Sequence, residues 1–309
     1  MENAGMNLLT LMRNIRTGLI LLSRKGLLSE NHSLMVGRLL VELIKNKRNY
    51  NSLADLEFKV FSQFGDDGII QYLINNLCVQ HSNFIEFGVQ DYRESTTRFL
   101  MMNDNWTGLI MDASPKNIKK IIHSEYYWKF QLIARHAFVT AENINQLISD
   151  AGINGELGLL HIDIDGNDYW VWKAIDIVRP VIAIIEYNSI FGIDRPITTP
   201  YDKNFQRTKA HFSNLYFGAS LGALLHLARQ KKYAFIGCNS AGNNAYFVRR
   251  DKLNANVHEL SLQEGYVLSR FRESRDRTGN LSYITGNERL NTIRGMPVFN
   301  VENNQIEHL

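Results

Sequence analysis

The chain has 309 residues, 45% of them hydrophobic and 21% charged, and this composition excludes a mainly disordered protein. A formal net charge of only +3 gives no general signal for nucleic-acid binding, so we expect no nucleic-acid partner. The two cysteines lack CxxC spacing, and no apolar run reaches the roughly 18 residues that a membrane span needs. The chain also shows no conventional signal peptide. Together these observations predict a cytoplasmic protein.

Residues 1–55 are predicted to form a helical N-terminal arm. Apolar residues recur at helical spacing between residues 6 and 48, and Arg and Lys lie between them. The arm could lie on an anionic membrane surface, which would make the protein peripheral at the inner membrane. The commoner arrangement is that such an arm packs on the following domain or on a second subunit, so homo-oligomerisation is left open.

Residues 56–250 alternate between strand-like and helix-like segments. Strands are predicted at residues 83–88, 106–112, 134–139, 157–164, 180–188, 234–237 and 244–248. This alternation predicts an α/β domain with a Rossmann-like doubly wound sheet, mostly parallel but with an antiparallel C-terminal strand. Residues 192–215 are predicted to be a long loop or lid, and residues 251–309 form a polar C-terminal extension with no assigned structure.

Two early strands end in residues that suit a nucleoside. Gly88 follows the first strand, where a glycine lets a ligand approach the backbone, and Asp112 ends the second, where an acid can accept ribose hydroxyls. Alternatively, Gly88 only makes a turn and Asp112 caps the next helix. The chain lacks G-x-G-x-x-G at this point, which disfavours a dinucleotide.

Carboxylates are concentrated at the ends of the fourth and fifth strands. Asp163 and Asp165 share one side of the fourth strand, Asp168 follows, and Glu186 and Asn188 share one side of the fifth. Three interpretations remain open. Asp163, Asp165, Glu186 and Asn188 could hold a divalent cation such as Mg²⁺, the acids could act as acid–base or substrate-binding groups, or Asp165 and Asp168 could cap the next helix.

His161 is a further candidate at the end of the fourth strand. It lies two residues before Asp163, on the same side, and could act as a general base together with Asp163 and Asp165. A histidine in an apolar strand can also be a core residue that makes a single hydrogen bond. The sequence predicts Asp163, His161 and Asp165 as catalytic residues.

These motifs resemble those of class I S-adenosylmethionine-dependent methyltransferases, and within them the FkbM-like group. The resemblance covers residues 58–250 and rests on residues 61–68 (FSQFGDDG), 84–88 (FIEFG), 108–112 (GLIMD), 162–166 (IDIDG), 185–188 (IEYN) and 218–221 (GASL). It implies methyl transfer from S-adenosylmethionine, usually to an oxygen and often on a sugar or another small metabolite.

The resemblance also implies which residues bind the cofactor. A second glycine that the family's motif places after Gly88 is missing, and Gln90 or Asp91 would make that contact instead. The full predicted set is Glu86, Gly88, Gln90, Asp91, Asp112, Ala113, Ser114, Phe138, Ser62 and Gln63.

Two functions follow from these observations. The first is O-methylation of a small-molecule, sugar or glycan-type acceptor, assisted by carboxylates or by a metal ion. The second is a non-catalytic Rossmann-like binding module that docks to a glycan-assembly partner or to a membrane.

Overall fold

The computed structural model describes residues 27–48 and 50–309. The first helix, α1, spans Leu27–Ile44, and the part of the predicted arm before residue 27 lies outside the described residues. One side of α1 packs through Val41 onto Phe58, Phe61 and Phe99 of the α/β domain. Its other side exposes large apolar side chains to solvent: Met35, Val36, Leu39 and Leu43.

The domain is built on a seven-stranded sheet. Its strands are β1 (Asn83–Phe87), β2 (Thr107–Asp112), β3 (Leu132–His136), β4 (Gly155–Ile162), β5 (Val178–Glu186), β7 (Tyr233–Cys238) and β8 (Asn244–Arg249). They lie in the order β3-β2-β1-β4-β5-β8-β7. The first five pair in parallel, whereas β8 is antiparallel to both β5 and β7. The predicted α/β doubly wound sheet with an antiparallel C-terminal strand is confirmed.

Helices cover both faces of this sheet. They are α2 (Asp66–Asn76), α3 (Arg98–Asp104), α4 (Pro115–Ile122), α5 (Glu125–Lys129), α6 (Ile144–Ser149), α7 (Asp168–Ala174) and α9 (Leu221–Gln230), with α8 (Arg207–Ala210) as one turn in the predicted lid. Adjacent residues of the central strands point to opposite faces, so Leu159 and Leu160 enter different cores. Strands covered on both faces need near-continuous apolar sequence, which explains the run at the end of β4.

One helix starts later than the sequence indicates, and the reason lies in the sheet. Residues 95–102 read as helical, yet α3 begins at Arg98. The backbone N–H groups of Thr96 and Thr97 donate to the Glu86 carboxylate, at 3.0 and 3.2 Å. This tertiary contact holds the segment before α3 in a loop against β1.

The C-terminal extension is structured and returns to the carboxyl ends of the strands. It contains α10 (Leu262–Gly265), α11 (Asn287–Thr292), β9 (Pro297–Asn300) and β10 (Gln305–His308). β9 pairs with both β10 and β6 (Ile197–Thr198) of the lid, which gives a small antiparallel sheet. Lid and extension therefore form one unit. No helix in the described part of the chain is long and apolar enough to cross a bilayer.

Candidate functional site

Three neighbouring cavities lie at the carboxyl ends of β1, β2, β4 and β5. The Asp112 cavity is about 210 Å³, the His161 cavity about 290 Å³ and the Glu186 cavity about 380 Å³, each named for a lining residue. Gln90 and Asp163 line all three. In a doubly wound sheet this edge is where ligands bind. The cavities therefore offer one site in three compartments that meet beside Asp163.

The Asp112 cavity contains five of the predicted cofactor residues: Gly88, Gln90, Asp112, Ala113 and Phe138. One carboxylate oxygen of Asp112 accepts a hydrogen bond from the backbone N–H of Gln90 at 2.8 Å. The other accepts from the Ser114 N–H at 2.8 Å and from the Asn117 amide at 3.1 Å. A carboxylate has about four acceptor positions, so Asp112 keeps capacity for a ligand hydroxyl.

Ser114 has a structural role at this edge. Its hydroxyl accepts from the backbone N–H of Asn117 at 3.3 Å and caps α4. Its side chain is thus engaged by the helix, and its backbone N–H by Asp112. Cofactor binding by Ser114 stays a prediction.

Gly88 is required by the close approach of two strand ends. Its φ is +75°, and a Cβ at this position would lie 1.6 Å from the carbonyl oxygen of Asp163. Any side chain would push the ends of β1 and β4 apart. The sequence indicates that a glycine at position 88 gives a ligand access to the backbone. The tertiary structure adds a second reason for this glycine, the space that the Asp163 carbonyl occupies.

Glu86 is buried and held by groups of the chain itself. Besides the loop N–H groups before α3, it accepts from the Ser95 hydroxyl at 2.6 Å and from Nδ1 of His161 at 3.0 Å. Burial acts to raise the pKa of Glu86, but the hydrogen bond and charge of His161 outweigh it and lower this pKa. Glu86 is therefore an ionised partner of His161, and its predicted contact with a cofactor stays a prediction.

His161 is the complementary half of this buried pair. Burial acts to lower the pKa of His161, but the hydrogen bond and charge of Glu86 outweigh it and raise this pKa. Its Nε2 is buried without a partner among the described residues, in a side chain that lines the His161 cavity. When His161 is protonated, with Glu86 accepting from Nδ1, its Nε2 carries an N–H that is suited to binding an acceptor group.

In the segment before α2, Ser62 stabilises the fold and Gln63 lines the site. Ser62 is fully buried, and both its N–H and its hydroxyl donate to Asp67, at 2.8 and 2.9 Å. Gln63 lines the His161 and Glu186 cavities. Of the two, the structure brings only Gln63 to the cavities.

Asp91 lies at the rim of the His161 cavity. Its carboxylate is 3.0 Å from Nζ of Lys120 and 3.8 Å from Nε of Arg93. Partial burial acts to raise the pKa of Asp91, but Lys120 and Arg93 outweigh it, so this pKa is lowered. The negative charge of Asp91 is thus balanced by basic side chains of the chain itself.

Asp163, Asp165 and Glu186 converge and are called the carboxylate cluster here. One oxygen of each lies within 4.8 Å of the others. Burial and the Asp165 charge raise the pKa of Asp163 to about 6. Burial and then the Asp163 charge raise the pKa of Glu186 well above its ordinary value. This crowding favours a proton on one member of the pair.

Asp165 is positioned by the lid. It has a left-handed φ of 57°, and its carboxylate is 2.6 Å from Nη1 of Arg207. The Arg207 guanidinium in turn lies 3.9 Å from the centre of the Phe217 ring. The lid thus places a cation against the exposed member of the carboxylate cluster.

Asp168 and Asn188, the other polar residues predicted here, hold the backbone. Asp168 accepts from the N–H groups of Ile164 and Gly166, at 2.8 and 2.9 Å, and burial together with the Asp163 charge raises its pKa to about 7. Asn188 donates to the carbonyls of Leu215 and Phe217. Its amide oxygen accepts from Ile190. The convergent oxygens therefore come from three of the four predicted metal ligands, and the Asn188 amide binds backbone groups at the two ends of the lid.

Sequence reasoning missed the residues that complete the Glu186 cavity. These come from the C-terminal extension and include Ser269, Phe271, Arg272, Glu273 and Arg289. The extension has no motif or periodicity that would place it over the strand ends. Asp66 was also missed: one of its oxygens accepts from Asn239 and Asn244, at 3.1 and 3.0 Å, on the wall of the His161 cavity.

No protein-family model and no curated protein sequence matches this chain. Among solved structures, it is similar to an S-adenosylmethionine-dependent methyltransferase from Clostridium acetobutylicum, at 10% identity over 59% of this chain and 89% of that one, with a TM-score of 0.38. An O-methyltransferase from Bacillus cereus, solved with SAH, aligns at 16% identity over 54% and 72% of the two chains, with a TM-score of 0.35.

The carbon methyltransferase of CurJ aligns at 9% identity over 60% of this chain and 52% of that one, with a TM-score of 0.38. TM-scores this low add no argument about function. The fold of this chain rests on its own strand order and pairing.

Proposed function

We propose that this protein is an S-adenosylmethionine-dependent methyltransferase of the FkbM-like type, acting on a hydroxyl oxygen of a sugar-containing or similar small acceptor. One observation carries the proposal: three cavities at the ligand-binding edge of a doubly wound sheet meet at Gln90 and Asp163. A donor and an acceptor bound in separate compartments would face each other at that point.

The residues of two cavities fit the parts of the donor. Asp112 keeps an acceptor position for a ribose hydroxyl, and the half-exposed Phe138 ring offers a surface for a base. In protonated His161 the unpartnered Nε2 carries an N–H that suits the carboxylate of an amino-acid moiety. S-adenosylmethionine supplies a methyl group activated by a positively charged sulfur.

The carboxylate cluster supplies the acceptor side. Asp163 is mainly ionised at neutral pH and lines the junction of the cavities, so it can accept the proton that an acceptor hydroxyl loses. The methyl group passes from sulfur to the hydroxyl oxygen, and the hydroxyl proton passes to Asp163. The raised pKa of Glu186 favours its protonated form, which limits the repulsion that ionised Asp163 meets, and Arg207 pairs with Asp165.

A carboxylate base accounts for the cluster better than a bound divalent cation. Arg207 already lies 2.6 Å from Asp165, so a cation there would compete with a guanidinium for the same oxygen. Asn188 is committed to the lid backbone. Methyl transfer insensitive to a chelator would agree with this assignment, whereas loss of turnover restored by Mg²⁺ would favour the metal.

Isothermal calorimetry with S-adenosylhomocysteine tests the proposed function. We expect the wild type to bind and Asp112→Asn to bind about tenfold more weakly, the cost of one hydrogen bond to a charged group. Asp150→Asn, which changes an exposed aspartate at the end of α6, is the matched control and should bind like the wild type. Absence of binding to the wild type at millimolar ligand would overturn the proposal.

A further inference from the structure

The Glu186 cavity is lined by charges of both signs. The carboxylate cluster lines it, and so do Arg207, Arg272 and Arg289 from the lid and the C-terminal extension, together with Glu273. An acceptor in this cavity would thus meet both acidic and basic groups. The arginines are not needed for proton transfer, so their presence in the cavity needs a separate explanation.

Of these three arginines, Arg289 is the buried one. It lies on α11, is only 8% exposed, and donates through Nη1 to the carbonyl of Ser269 at 3.1 Å. Its Nε is buried with no partner among residues 27–48 and 50–309. Burial, followed by the charge of Arg207, lowers the pKa of Arg289, which indicates a cation lacking an anion nearby.

The other buried arginines of the described residues each have a carboxylate partner. Arg98 has Glu30 at 3.0 Å, and Arg249 has Glu156 at 2.7 Å. Within the same described residues, Arg289 has no carboxylate at salt-bridge distance. A buried cation is costly unless an anion pairs with it, so Arg289 is poised to receive one from outside the chain.

We infer that Arg289 binds an oxyanion, a carboxylate or phosphate group, carried by the acceptor. A guanidinium presents parallel N–H donors that match such a group, and Arg207 is unsuited to the task because it already binds Asp165 and the carbonyl of Asn214. The inference rests on the proposed function. It narrows the acceptor to a hydroxyl compound that carries a negative charge away from the hydroxyl.

The test measures anion binding to the full chain by calorimetry, with inorganic phosphate and acetate as separate probes and S-adenosylhomocysteine present. We expect one of the two probes to bind the wild type and to bind Arg289→Gln about tenfold or more weakly. The probe that binds more tightly tells a phosphate acceptor from a carboxylate acceptor. Arg294→Gln is the matched control, since it removes the same charge from an exposed position just after α11, and it should bind like the wild type.

The outcomes separate this inference from the proposed function. If S-adenosylhomocysteine binds but neither anion does, or if Arg289→Gln binds the anion as the wild type does, the oxyanion site is wrong and the methyltransferase assignment stands. If an anion binds through Arg289 but S-adenosylhomocysteine does not, the oxyanion site stands and the methyltransferase assignment fails. Arg289→Lys keeps the charge and guards against a folding defect in Arg289→Gln; we expect it to bind the anion with intermediate affinity.

Discussion

Asp163→Asn is expected to make the protein more stable at neutral pH while removing its activity. In the folded chain, burial and Asp165 raise the pKa of Asp163 from 3.8 to about 6. The folded state therefore holds this proton more tightly than the unfolded state does. The stability contributed by Asp163 is complete below the unfolded pKa and is lost as the pH rises through about 6.

The magnitude follows from the size of the shift. A rise from 3.8 to about 6 is roughly two pKa units, and each unit is about 1.4 kcal/mol, so ionising Asp163 costs up to about 3 kcal/mol at neutral pH. Asparagine does not titrate and avoids this cost.

Urea unfolding of wild type and Asp163→Asn near pH 4 and at neutral pH measures the effect. We expect the variant to be more stable at neutral pH and the difference to shrink near pH 4. Asp150→Asn, at an exposed position, should show no such difference. The same variant should bind S-adenosylhomocysteine and lose methyl transfer. A variant that is less stable than the wild type at neutral pH, or a difference independent of pH, would refute the reasoning about the carboxylate cluster.

Two further substitutions test how the site is held. Gly88→Ala should lower the free energy of unfolding by more than about 1 kcal/mol, which is the cost of a left-handed residue alone, because its Cβ would also lie 1.6 Å from the Asp163 carbonyl oxygen. Gly152→Ala is the control, since Gly152 has a similar φ of +74° but a Cβ there would have nothing within 4 Å. Equal losses of stability for the two variants in urea unfolding would contradict this explanation. Glu86→Gln should lower the free energy of unfolding by about 3 kcal/mol, because it leaves buried His161 without its anion. Glu125→Gln removes an exposed partner of Lys129 and should change the free energy of unfolding little in the same assay.

Much of the fold could be predicted because the central strands are buried on both faces. Such strands need unbroken apolar sequence, as around Leu159 and Leu160. The convergence of Asp163 and Glu186 could be predicted too, because parallel neighbours end at the same edge of a sheet.

The remaining features depend on contacts that no local pattern encodes. Asn188 looked like a ligand because it shares a side of the strand with Glu186, but its amide is used by lid carbonyls distant in sequence. Arg289 comes from an extension whose polar sequence has no periodicity, and tertiary packing, in which Ile293 joins a core cluster with Ile190, brings it to the cavity. Glu86 and His161 were predicted as separate site residues, whereas pairing β1 with β4 makes them partners.

The central claim is that donor and acceptor compartments meet beside Asp163, and a crystal structure with S-adenosylhomocysteine tests it most directly. The account predicts the ribose against Asp112, the amino-acid moiety in the His161 cavity, and the sulfur facing Asp163 and the Glu186 cavity. A ligand bound elsewhere, or one whose sulfur faces away from Asp163, would contradict it.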